Sequence, residues 1–348
     1  MKRNLSIDLV KIIAMFMVLM LHIGLLKPPN TTFYRCTHGV ACIAIPLFFM
    51  VSGYLLSNKI PDFNYSIKKI SRILLFIFKT TTLFIIIEYV FFNGNLLLLL
   101  RSYYNWFNQH GIMWHYWYFA SMIFIYASLP LLLKIIHSKY LGLSLIILVV
   151  ISLCFFILDL FYDFERENIR QTYRIWYWLM FFFLGAYINL NQSKFKIINW
   201  KFAFCACFIY TFFQVSLVSY ITANEFFFGS IFCMLYAITV FVACLNRKIQ
   251  NNTVIQELSS LFLPVYAIHP YIISKLLYLV PYLNFSSIIN YFTLLSLVVV
   301  INISIAFILM RIPYVKDIFK MWNFPCRIII KNSVFIKELE YGVFIIVE

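Results

Sequence analysis

Residues 7–26 read IDLVKIIAMFMVLMLHIGLL, an apolar run broken only by Asp8, Lys11 and His22. At about 1.5 Å per residue, twenty helical residues span roughly 30 Å, the thickness of a bilayer's hydrocarbon core. Lys2 and Arg3 precede the run, as they would in a signal peptide. The run is too long for an ordinary signal h-region, and Lys27-Pro28-Pro29 follow it where a small-residue cleavage pattern would stand. A retained first transmembrane helix is therefore expected.

The rest of the chain has the same character. It has 348 residues and is 63% hydrophobic. Only 12% of its residues are charged, against about 25% in a soluble domain, so lipid rather than water must cover most of its surface. Aromatics at 20% suit interfacial belts. Ten spans are expected, at 7–26, 37–57, 72–92, 114–134, 141–160, 174–192, 199–221, 227–246, 258–280 and 288–310. The fold class is an all-α polytopic helix bundle. Its transmembrane domain covers 1–311, and a basic and apolar tail covers 312–348.

With the N-terminus in the cytoplasm, the inner segments hold Lys2, Arg3, Lys59, Lys68, Lys69, Arg72, Lys134, Lys139, Lys194, Lys196, Lys201, Arg247, Lys248 and the basic tail. The outer segments hold fewer basic residues, so both termini are expected inside. The same scatter of charge over short loops argues against nucleic acid as the partner of a net charge of +15. The cysteines form no CxxC pair and no metal-ligand spacing, and most lie in apolar runs as small hydrophobes. No metal site is expected.

Ionisable groups inside a span are expensive, which makes each one a functional candidate. Lys11 and His22 are eleven positions apart. Their angular offset is about 20° and their separation about 16 Å, so they lie along one helix face. Glu88 sits deep in the third span, at a height similar to that of His22. It is expected to orient His22, with Lys79 as a competing partner. His115 opens the fourth span within Trp114-His115-Tyr116-Trp117-Tyr118, and His269 stands at mid-membrane before Pro270, which kinks its helix. Ser52 and Gly53 suit close helix packing. Lys68, Lys69 and Arg72 make a basic rim at the inner mouth, suited to phosphate or simply to topology. The outer segment with Asp159, Asp163, Glu165, Arg166, Glu167, Arg170 and Arg174 reads either as a solvated charged loop or as part of a sugar-binding mouth.

Taken together, these segments resemble the membrane acyltransferase 3 family, the bacterial surface-glycan O-acetyltransferases. Asp8, Lys11 and His22 resemble its opening pattern, in which Arg often stands where Lys11 does. Phe48-Phe49-Met50-Val51-Ser52-Gly53-Tyr54-Leu55 looks like its FFxxSG[FY]L element. Lys68-Lys69-Ile70-Ser71-Arg72-Ile73 resembles its basic stretch, His115-Tyr116-Trp117-Tyr118 its HxW[YF] element, and Tyr266-Ala267-Ile268-His269-Pro270 its YxIHP element.

The resemblance implies a multi-pass protein of the bacterial plasma membrane. It implies transfer of an acyl group, commonly acetyl, from cytoplasmic acyl-CoA (acetyl-CoA) to a hydroxyl of a surface polysaccharide or lipid-linked sugar. Lys11, Lys68, Lys69 and Arg72 would hold the CoA phosphates. His22 would act as base or acyl carrier, with Glu88 behind it, and His115, Trp117, Tyr118 and His269 would line the acceptor site. A glycolipid exporter built on the same seam is the alternative. An ion-coupled transporter is a weaker one, because the sequence has no mid-membrane acidic pair.

Overall fold

In lipid every main-chain N–H and C=O must find a partner within the protein, which leaves helices as the natural form for long apolar runs. The computed structural model follows that rule. It describes residues 3–26, 32–59, 62–162, 164–218, 227–279 and 288–319, and among them there is no strand. The principal helices are α1 (Leu5–Leu26), α2 (Thr32–Ala41), α3 (Ala44–Leu56), α4 (Phe63–Phe92), α5 (Trp117–Ile136), α6 (Leu141–Tyr162), α7 (Ile175–Leu190), α8 (Trp200–Val218), α9 (Ile231–Leu245), α10 (Thr253–Ser260), α11 (Phe262–Leu279), α12 (Ile288–Leu309) and α13 (Pro313–Phe319).

Each of the ten expected segments is largely helical over its described residues. Among the described residues, seven stretches are long and apolar enough to cross a membrane: Leu5–Ile23, Arg35–Leu56, Phe63–Phe92, Trp114–Ile136, Leu141–Tyr162, Phe262–Leu279 and Ile288–Leu309. α7 and α9 are shorter apolar helices, and α8 occupies the remaining expected position. Beyond α13, the tail lies outside the described residues.

Local chemistry sets the helix ends. The Asn4 side chain accepts from the Ser6 and Ile7 amides at the start of α1. Asp62, Ser230 and Asn252 cap α4, α9 and α10 in the same way. α4 stops at Asn93, which adopts the left-handed conformation at φ 51°. The second span is two helices with a turn at Cys42–Ile43. Pro46 explains that break: it has no N–H to give the Cys42 carbonyl, and it is tolerated only in a first turn.

The centre of the bundle is α3, whose residues from Ala44 to Leu56 are buried except Leu55. It meets α7 backbone to backbone. A Cβ on Gly53 would overlap the Phe182 carbonyl, and one on Gly185 would overlap that of Met50. Phe49 stacks on Trp178 beside this crossing, with centroids 4.9 Å apart. Gly53 is thus the packing residue expected from the sequence. α6 and α12 lie at the periphery, where Ile146, Val150, Phe161, Ile289 and Val300 are exposed. In water that surface would be a large apolar patch, and a bilayer accounts for it.

Candidate functional site

The first charged residue of α1, Asp8, is buried. Its carboxylate accepts from Ser259 Oγ at 2.7 Å and pairs with Lys11 Nζ at 3.4 Å and with the Arg3 guanidinium. Arg3 also donates to the Gln256 carbonyl. Asp8 therefore ties α1 to α10 and holds Lys11 at its own end of the helix. The sequence pattern contained Asp8, yet its role as a hub depends on Ser259, which lies far along the chain.

Lys68, Lys69 and Arg72 divide between two faces of α4. Lys68 and Arg72 are exposed on the stripe that also carries Leu75 and Phe78. Lys69 is buried, with its ammonium 5.5 Å from the Tyr65 ring centroid. No described contact joins any of them to Lys11.

Three turns above Lys11, His22 enters a cluster of imidazoles. Its Nδ1 lies 2.8 Å from the Val18 carbonyl, four residues back on the same helix. Nδ1 therefore carries the proton of the neutral ring, and Nε2 is left with its lone pair. Among the described residues Nε2 has no hydrogen bond, and His22 keeps 8% of its surface. His269 packs edge-on against it, with centroids 4.6 Å apart, and His115 lies 5.5 Å from His269. The indole of Trp114, half-buried, sits 5.3 Å from His22.

The other two rings are held by main-chain carbonyls as well. His115 Nε2 donates to Ala267 O at 3.2 Å, and the Tyr266 hydroxyl donates to the His115 carbonyl at 2.6 Å. His115 Nδ1 is buried and has no hydrogen-bond partner among the described residues. His269 Nδ1 donates to Tyr266 O at 2.8 Å. With each ring giving one N–H to a carbonyl, the buried cluster presents lone-pair nitrogens. Among the described residues, no group of three or more His, Cys, Asp or Glu could hold a metal ion.

The expected Glu88–His22 pairing is not formed. Glu88 Oε1 accepts from Lys275 Nζ at 2.8 Å, and that ammonium also lies 3.6 Å from the Phe92 ring centroid. Equal depth was a sound inference about height, but it carries no information about azimuth. Lys275 on α11 supplies a nearer countercharge than any imidazole. Trp117 and Tyr118 also turn away from the cluster. Trp117 packs on Trp178 at 5.1 Å, and Tyr118 on Phe49 at 5.0 Å. Trp114 and His115 belong to a separate 3₁₀ turn, Trp114–Tyr116, ahead of α5; from it Trp114 faces His22 and His115 faces His269, while Trp117 faces α7 and Tyr118 faces α3.

In the charged segment between α6 and α7, Asp159, Glu165 and Arg174 are buried rather than solvated, while Arg170 is exposed. Glu165 and Arg174 are buried and paired at 3.6 Å. Glu165 also accepts from Trp176 Nε1 at 3.1 Å and from the Tyr177 hydroxyl at 2.8 Å, while its amide donates to Asp159 at 2.8 Å. Arg174 donates to the Ile169 and Glu165 carbonyls. This satisfied network fastens the start of α7 to the end of α6. Asp163 and the side chains of Arg166 and Glu167 lie outside the described residues. The described cysteines are all free.

Residues 4–311 match the model of a known protein family, the acyltransferase 3 family, described as an acyltransferase domain. No curated protein and no solved structure matches the chain.

Proposed function

Because this chain belongs to the acyltransferase 3 family and is an acyltransferase with membrane-spanning helices, we propose that it moves an acetyl group from cytoplasmic acetyl-CoA to a hydroxyl of a surface polysaccharide or lipid-linked sugar. In this reading it crosses a bacterial plasma membrane ten times, with both termini inside. The observation that carries it is the lone-pair Nε2 of His22, held ready deep in the bundle by the Val18 carbonyl.

The donor's phosphates meet Lys11 and the inward-facing Lys69, with Lys68 and Arg72 at the rim where headgroups also compete for them. The thioester extends along α1 towards His22. Lys11 and His22 are eleven residues apart, or about 16 Å along a helix. A pantetheine arm is built to cross a gap of that kind. The acceptor hydroxyl donates to His22 Nε2 as its oxygen attacks the thioester carbonyl carbon. The carbon–sulfur bond breaks, and the proton passes from His22 to the departing thiolate. Trp114, half-buried beside His22, offers a flat face to the sugar.

The test is release of free CoA from acetyl-CoA by purified protein, with glycan fractions as acceptors, in wild type and His22→Ala. Loss of about a hundredfold or more is expected on removing a general base. A His22→Ala protein that is folded and releases CoA at the wild-type rate would refute the assignment. Folded wild type that binds glycan but releases no CoA with any acceptor would favour the exporter.

A further inference from the structure

Among the described residues no carboxylate pairs with His22, and a second imidazole stands beside it instead. His269 Nε2 lies 3.3 Å from His22 Nδ1. Which atom carries the proton follows from the backbone. In a regular helix the amide at 270 would donate to the carbonyl at 266. Pro270 has no N–H, so the Tyr266 carbonyl is vacated. His269 Nδ1–H takes that carbonyl at 2.8 Å, with the Val265 carbonyl at 3.2 Å as a second acceptor. Two carbonyls at Nδ1 require a proton there, so neutral His269 presents a lone pair at Nε2, towards His22. The His22 Nδ1–H is then shared between the Val18 carbonyl and His269 Nε2.

We propose that His269 is a positioning residue for His22, and that Pro270 sets it by freeing the Tyr266 carbonyl: a carboxylate-free histidine pair in which the second imidazole steadies the first as it becomes charged. The proposal rests on His22 being the base. When His22 Nε2 accepts the hydroxyl proton, the new imidazolium keeps its Nδ1–H on Val18 and His269. No proton moves to His269, and the one on Nε2 leaves with the CoA sulfur. Both acceptors are neutral, so His22 gains a partner for its cation without a buried permanent charge beside a passing acyl group. His269 is fully buried, which suits a residue acting through His22 rather than one that touches a sugar.

The experiment measures kcat and both KM values for His22→Ala, His269→Phe, His269→Gln and Pro270→Ala in full-length protein, with gel filtration and thermal unfolding to establish folding. His269→Phe removes the acceptor and should lower kcat about tenfold to a hundredfold, the range for one hydrogen bond to a charged group. Both KM values should stay within about twofold. His269→Gln offers an amide oxygen at a similar reach and should recover most of that kcat. If His269→Phe does not fold, Pro270→Ala decides. It returns an amide to the Tyr266 carbonyl, competes with His269 Nδ1 for it, and should lower kcat several-fold.

An inactive His22→Ala with full kcat in a folded His269→Phe overturns the pair and leaves His22 standing. So does an unchanged kcat in Pro270→Ala. Equal losses in His269→Phe and His269→Gln with a raised acceptor KM would make His269 an acceptor ligand instead. Activity in His22→Ala would remove the reading on which the pair depends.

Discussion

Replacing Gly53 by alanine should destabilise the bundle more than its single carbon suggests. The added Cβ would sit on the Phe182 carbonyl, with the carbonyl carbon at 2.7 Å and Cα at 3.1 Å. The obstacle is main chain, so no rotamer change relieves it. Bringing the carbonyl oxygen, the nearest atom, out to ordinary contact requires α3 and α7 to part by about 1.5 Å. That movement loosens the Phe49–Trp178 stack and forfeits dispersion along the whole crossing. Overpacking of this kind costs about 1–3 kcal/mol, and a rigid obstacle places Gly53→Ala at the upper end. At about 2–4 °C per kcal/mol the unfolding midpoint should fall by roughly 5–10 °C. Gly142→Ala is the internal control. No atom lies within 4 Å of its added Cβ, and it sits in the first turn of α6. It should leave the midpoint unchanged or raise it slightly, since alanine is the better helix former. Thermal unfolding in one detergent, followed by intrinsic fluorescence, reads both. Equal midpoints for Gly53→Ala and Gly142→Ala would refute the backbone contact between α3 and α7.

Two other perturbations separate architecture from chemistry. Glu165→Gln removes the carboxylate shared by Arg174, Trp176 Nε1 and the Tyr177 hydroxyl, so a loss of about 1–3 kcal/mol and faster proteolysis between α6 and α7 are expected; glycan affinity falling with stability unchanged would favour the sugar-mouth reading of this segment. Glu88→Gln and Lys275→Met, alone and together, should show a coupling of about 1–2 kcal/mol in unfolding free energy for a partly buried ion pair, and additive effects would mean that Glu88 is bound elsewhere.

Much of the fold is legible because bilayer thickness dictates the length of an apolar run. That constraint acts on each segment separately, so it survives ignorance of how the segments pack. Span counts are less secure where a run is short, as in α7 and α9, or where a proline divides it, as Pro46 does between α2 and α3. Pairwise packing is legible by halves. Gly53 announces a close approach, but nothing local says that Gly185 and Phe182 are on the other side. The same holds for Asp8, whose partner Ser259 is 251 positions away.

The site divides along the same line. His22, His115 and His269 each stand out because an imidazole in an apolar helix needs a reason. Their meeting does not stand out, because it depends on the rotation of three helices about their own axes. Depth gave Glu88 and His22 the same height, but Lys275 captures the carboxylate. Trp114 and Trp117 are both aromatic and three residues apart, yet only Trp114 faces His22. One long-range feature was nevertheless written locally. Counting four residues back from Pro270 identifies Tyr266 as a carbonyl without its donor, and His269 is the neighbouring side chain able to supply one. A proline in a polar membrane helix is usually read as a kink. Here it also determines which nitrogen of the adjacent histidine carries the proton, and so what that histidine can offer to a ring 247 positions away in sequence.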